Sequence, residues 1–357
     1  MKIITFSLLL LFPVLSAQAA PAAFDINKKQ EKINFVTVAT PVCQDARRFD
    51  PPLPKDPDAD LYYRAAKKIL GQRDTANYRN MHIIGRKAAD MGHWKAKLLM
   101  AKLYMQNSRN YYSESDPEQA RAYIDELMSQ NVAEAFYFMS QRRNDNRSGF
   151  KTAPAPASFY LYRAAESGDP DAMVSVSNIF LTVKRYKESR ALLECGMKFG
   201  DGGAVANDIS VSEFINARTQ EDWERGFRYL YASAKAGYYR AMGQFQFREA
   251  MYQKKNPRYY LNAEFIRRAD ILSFAMDPQF YHDDPYRKAK GLPYRVKGNI
   301  DLKFPNLEKI IPLPPATLPP WNDDITVGMS AQDAEDYRTD FDYDRLVAKI
   351  QLTGLAK

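Results

Sequence analysis

Histidine and cysteine are the side chains that most often carry catalysis or hold a metal near neutral pH. This sequence has few of either: His82, His93 and His282, with Cys43 and Cys195. No H-E-x-x-H, G-x-S-x-G, G-x-G-x-x-G or phosphate-loop motif occurs. His282-Asp283-Asp284 has ligand-type side chains, but no second histidine lies near it in sequence. Asp56-Pro57-Asp58-Ala59-Asp60 and Asp340-Phe341-Asp342-Tyr343-Asp344 begin like calcium loops. Their sixth position, where the loop needs glycine, is Leu61 or Arg345, and the twelfth, where it needs glutamate, is Lys67 or Gln351. Both read as solvated acidic segments. Gly200-Asp201-Gly202-Gly203 has the composition of an anion cradle, but its register makes it a turn between helices. Acidic residues are plentiful enough for a glycoside hydrolase, yet no spacing singles out a pair. Neither a metal nor a cofactor is expected, and the residues point to binding rather than catalysis.

The frame that positions these residues is that of an ordinary globular chain, 357 residues with 45% hydrophobic and 26% charged side chains. Met1-Lys2 is followed by an apolar run through Leu15 and then by Ala17-Gln18-Ala19, the A-x-A pattern of a cleaved secretory signal. The run is too short to span a bilayer, which takes about 20 apolar residues. Cys43 lies too far downstream to be a lipidated first residue. Residues 1–19 are therefore expected to be removed, and the mature chain to reside in a bacterial periplasm. Two readings of the cysteines follow: one disulfide, Cys43–Cys195, formed in an oxidising compartment, or two separately buried thiols.

Residues 20–59 read as an irregular arm broken by Pro41, Pro51, Pro52 and Pro54. From 60 to 252 the apolar spacing is helical, over 60–70, 77–89, 93–105, 117–129, 133–142, 158–167, 170–183, 186–199, 203–217, 221–236 and 239–252. Asp116-Pro117 and Asp169-Pro170 set an N-cap acid before a first-turn proline. Thr219-Gln220-Glu221-Asp222 reads as a capping box. The pattern also repeats. Ala88-Ala89-Asp90-Met91-Gly92 with Ala96 is echoed by Ala164-Ala165-Glu166-Ser167-Gly168 with Ala172, and by Ser233-Ala234-Lys235-Ala236-Gly237 with Ala241. Weaker copies centre on Asn131 and Gly200, so the anchors are spaced 39, 37, 32 and 37 residues apart. Glycine suits a helix end that needs positive φ, and the alanines let two antiparallel helices approach closely. One such pair cannot bury its apolar face, whereas stacked pairs can.

This A-A-x-x-G-x-x-x-A signature resembles the Sel-1-like repeat, a relative of the tetratricopeptide repeat, over residues 60–252. The resemblance implies an all-α fold, an α/α solenoid whose function is binding. Ala89, Gly92, Ala96, Ala165, Gly168, Ala172, Gly237 and Ala241 would be its structural anchors. The family's usual glycine after the first helix's aromatic is missing, with 106–116 and 143–157 in its place. Residues 253–304 read as a closing helix at 263–274 within a basic, tyrosine-rich segment. Residues 305–357 read as an irregular Pro-Trp strap with an acidic tail, containing Leu313-Pro314-Pro315-Ala316-Thr317-Leu318-Pro319-Pro320-Trp321. A repeat array followed by L-P-P-x-x-L-P-P-W resembles exported immunity proteins paired with lipase effectors of the type VI secretion system.

Charge bears on the partner. The formal charge is +8, and the tail from 318 carries eight acids against four bases. Once the signal lysine is gone, residues 20–317 hold +11 and the tail −4. A basic, tyrosine-rich surface also suits nucleic acid, but export argues against that partner. A protein partner, probed through aromatic anchors such as Trp94, Tyr239 and Trp321, fits better, with the anionic membrane surface close by. The alternative place for each of these three rings is the core. The expected function is protein binding without catalysis, as an immunity protein against a lipase effector or as a scaffold of an envelope or secretion complex.

Overall fold

The structure, a computed structural model, describes residues 24–25, 30–71, 74–105, 116–142, 155–199, 202–253, 262–276, 307–311 and 317–355. The signal at 1–19, His282-Asp283-Asp284, Gly200-Asp201, the Pro312–Ala316 part of the strap and most of the tyrosine-rich segment lie outside them. Most of 106–116 and 143–157 does so too.

The chain is all-α, a helical repeat solenoid with no strand among the described residues. The array comprises α1 (Pro57–Gly71), α2 (Tyr78–Asp90), α3 (Trp94–Met105), α4 (Pro117–Ser129), α5 (Ala133–Arg142) and α6 (Ala157–Glu166). It continues through α7 (Pro170–Thr182), α8 (Tyr186–Phe199), α9 (Gly203–Asn216), α10 (Gln220–Lys235), α11 (Tyr239–Gln253) and α12 (Ala263–Met276). The helix starts are chemical. Asp116 and Asp169 accept from Gln119 N and Ala172 N ahead of their first-turn prolines, and Thr219 with Asp222 closes a full capping box. Neighbouring helices pack in sequence order, so the contacts are local, as stacked pairs require.

The repeat turns share one hydrogen-bond pattern. Gly92 N donates to Ala89 O and His93 N to Ala88 O, closing α2. Gly168 with Asp169, and Gly237 with Tyr238, do the same for α6 and α10. This is the Schellman ending, whose C′ residue must be left-handed, and φ is +88°, +93° and +86° at the three glycines. The weak copy at Asn131 keeps the same bonds with φ +60°, because asparagine tolerates that region better than most residues. In the other weak copy the left-handed residue is Gly202, φ +93°. The alanine anchors Ala89, Ala96, Ala165, Ala172 and Ala241 are all fully buried, where a larger side chain would push the helices apart.

Two apolar cores result. The first runs through α1–α8 and the second from Phe214 in α9 through α12 into the strap, with a thin join between α8 and α9. The C-terminal region, expected as an irregular strap with an acidic tail, also holds two helices. Residues 331–338 form α13 (Ala331–Arg338) and 343–355 form α14 (Tyr343–Leu355). Asp340, Asp342 and Asp344 are exposed, as expected of a solvated run, and the run also starts a helix. Ser330 caps α13 by accepting from Asp333 N, and Asp342 accepts from Arg345 N at the start of α14. Leu346, Val347 and Ile350 then pack on the first core.

Candidate interaction surface

The array's own arm covers part of it. Phe24 sits 5.2 Å from the Phe136 ring and Phe35 6.2 Å from Phe180. Arg185, at the α7–α8 turn, clamps the segment. Its Nη1 donates to Phe35 O and Val38 O at 3.1 and 2.8 Å, and its guanidinium lies 4.1 Å over the Phe180 ring. Cys43 and Cys195 are joined by a disulfide, Cα–Cα 5.6 Å, which ties the arm to α8. Beyond it Gln44 Nε2 donates to Glu166 O, and the chain passes over Gly168 so closely that a Cβ there would lie 2.7 Å from Ala46 N. Nothing in the spacing around Arg185 marked it as the clamp, because its partners are carbonyls of a distant irregular segment. Further along, burial pushes the Asp50 carboxyl up to about 6, against the pull of Lys95.

The other end of the chain covers α1, α2 and the last helices. Arg268, 5% exposed, donates to Ile310 O and Pro319 O, both at 2.7 Å, and pairs with Glu264. Tyr231 Oη donates to Ile311 O at 2.7 Å. The strap is thus pinned through its backbone carbonyls, which suits a proline-rich stretch that has few N–H groups to offer.

The three aromatic candidates fall in different places and are not brought together. Trp94 is buried in the first core, 6% exposed, and offers no ring face to a partner. Trp321 is half-buried against the second core, with Nε1 donating to Asp324 O at 2.8 Å and Arg268 lying 5.5 Å over its ring. It anchors the strap. Tyr239 is half-buried at the start of α11 with Arg240 5.7 Å over its ring, and its carbonyl accepts from Ser273. Asp58 and Asp60 of the first calcium-like run pair with Lys349 and with Arg64 and His93. Among the described residues no cluster of three or more His, Cys, Asp or Glu could hold a metal. No described helix is long and apolar enough to cross a membrane.

One cluster that the sequence did not flag lies on α9 and α11. Gln244 Nε2 donates to Asn207 Oδ1 at 2.8 Å, which links the two helices one repeat apart. Gln244 Oε1 accepts from Arg248 Nε and Nη2 at 3.3 and 3.1 Å. Arg248 is 8% exposed and lies 5.2 Å from the ring centroids of both Phe214 and Phe247. Phe214 is the inner wall, and Gly226 of α10 makes room for it, since a Cβ there would meet the ring at 2.6 Å. Phe247 is the outer wall and is 59% exposed. Burial alone lowers the Arg248 pKa, and among the described residues no carboxylate pairs with it. Its signal in sequence was slight, an arginine after alternating glutamines and phenylalanines and directly before Glu249.

No protein-family model matches this chain, and no curated protein does so either. Two solved structures share its fold. One is a Pseudomonas aeruginosa protein, PA5086, 24% identical with a TM-score of 0.53 over 78% of this chain and 96% of that one. The other is the immunity protein Pa5087 from Pseudomonas aeruginosa, 24% identical with a TM-score of 0.52 over 77% of this chain and 94% of that one.

Proposed function

We propose that this chain is a non-catalytic, periplasmic immunity protein whose helical array binds and neutralises a phospholipase or lipase effector of the type VI secretion system. The observation that carries the reading is the helical architecture shared across 77% of the chain with a protein described as an immunity protein. Three features support it. The N-terminal apolar run with Ala17-Gln18-Ala19 suits export, and a Cys43–Cys195 disulfide suits an oxidising compartment. The L-P-P-x-x-L-P-P-W strap resembles that of exported immunity proteins paired with lipase effectors. Blocking a soluble enzyme requires no chemistry of the blocker, only a complementary surface held by a rigid frame.

The test is to produce the chain in the periplasm of a sensitive reporter strain challenged with a panel of periplasm-directed phospholipases. Survival against one of them, with that enzyme co-purifying, is the expected result. Sensitivity to every enzyme with none captured overturns it and favours a scaffold of an envelope complex.

A further inference from the structure

We propose that Arg248 is the receptor for a partner protein's carboxylate, an aspartate or glutamate side chain that enters beside Phe247 and pairs with the guanidinium end-on; this deepens the binding reading above and rests on it.

A buried guanidinium without a counter-charge is costly to the isolated fold, and arginine in such a place is ordinarily paired. Arg248 has five N–H donors, yet among the described residues its only oxygen acceptor is Gln244 Oε1. Among the described residues Nη1 donates only to the Met251 sulfur, at 3.7 Å. Nη1 and Nη2 therefore each keep an N–H for the bidentate pairing that a carboxylate makes. Asn207 and Gln244 hold the guanidinium in place from the other side, and the two phenylalanine rings fix its plane.

The surroundings favour protein over lipid. From Gly243 to Ala250 the exposed positions of α11 are Gly243, Gln246, Phe247 and Ala250, none charged. On the last turns of α9 they are Ser212, Ile215 and Asn216, again uncharged, with Ile215 70% exposed. An anionic membrane is drawn by several surface cations. One recessed arginine behind exposed Phe247 and Ile215, with the half-buried carboxylates Glu249 and Glu213 on the same two helices, is instead the composition of a protein–protein hot spot.

The probe is acetyl-Leu-Glu-Leu-amide, with acetyl-Leu-Gln-Leu-amide as control, added to the full chain with its disulfide intact. The readout is the Arg248 Nε–Hε resonance. The glutamate peptide should shift it saturably below about 20 mM, and the glutamine peptide should bind at least about tenfold more weakly. Arg248→Met should abolish the response while leaving the thermal midpoint unchanged or higher, since it removes an uncompensated buried charge. Equal or non-saturating responses to the two peptides overturn the proposal. So does a large fall in the Arg248→Met midpoint, which makes the residue a structural brace, and so does a response to phosphatidylglycerol vesicles alone. If the peptide titrates Arg248 but no effector is ever captured, the immunity reading fails and this site stands. If Arg248→Met protects cells as well as the parent chain, this site fails and the immunity reading stands.

Discussion

Arg64 on α1 pairs with Asp336 on α13 at 2.7 Å, while Ala334 and Tyr337 of the same short helix pack in the second core. Lys67 and Lys68 of α1 reach the same segment, at Asp333 and at the carbonyl of Thr339. Eight helical residues span about 12 Å. The first helix of the array and the core built by its last helices therefore face each other across one short helix. α14 carries the closure further, laying Leu346, Val347 and Ile350 on the first core beside α2. The strap and tail are thus a clasp that joins the two ends of a solenoid.

A chain ending at Met329 should lose that clasp. Trp94 reports on the first core and Trp223 on the second, so variants that keep only one of them follow each core separately. In the full chain their urea midpoints should coincide. Without residues 330–357 they should separate, with the first core losing about 3 kcal/mol from three uncovered aliphatic side chains. Coincident midpoints in the shortened chain rule out the clasp.

The Cys43–Cys195 bond closes a loop of 152 residues in sequence separation. A loop of that length constrains the unfolded chain enough to stabilise the fold by about 3–5 kcal/mol in the chain-entropy model. Changing both cysteines to alanine should lower stability in that range and make 30–50 the first site of proteolysis. Equal proteolysis with and without the bond means that Arg185 and the aromatic contacts hold the arm unaided.

The array was legible in sequence because its interactions are local. Proline after an N-cap acid, glycine or asparagine at a left-handed turn and alanine at close approaches all act within a few residues, and the helices stand within a few residues of their expected ends. What escaped was long-range. Ser330 and Asp342 start helices whose apolar faces have meaning only against α1, α2 and the second core, so the exposed acidic run does not by itself announce them. Trp94 looked like an anchor because nothing in its own segment records that it is covered. Arg248 carries no sequence signal because its lack of a carboxylate pair among the described residues depends on which helices meet.

The glycines at 92 and 168 share one backbone conformation but not one environment. A Cβ on Gly92 meets nothing within 4 Å, whereas on Gly168 it strikes the backbone of Gln44 and Ala46. Gly92→Ala should cost only the left-handed strain, about 1–2 kcal/mol. Gly168→Ala should cost more and also loosen the arm. Thermal unfolding compares the two costs, and proteolysis of the arm should quicken only in Gly168→Ala. Equal effects would mean that the arm does not seat on this turn.

Asp50 supplies a pH signature. Its carboxyl is pushed up to about 6 in the folded chain from an ordinary 3.8, because burial disfavours the charge more than Lys95 and Arg47 support it. Between those values the folded state binds the extra proton, so this group's stabilising contribution is full below pH 4 and is lost as pH rises through 6. Glu264 works in the opposite sense. Arg267 and Arg268 hold it at about 2, so its contribution is present at neutral pH and fades as pH falls from 4.5 towards 2. Asp50→Asn isolates the first effect. With allowance for the group's partial solvent access, the variant should be about 1 kcal/mol more stable than the parent at pH 7. At pH 4, where the parent carboxyl is protonated in the fold, that advantage should vanish. Urea midpoints at the two pH values decide it, and an advantage of the same size at both would place the cause outside this carboxyl.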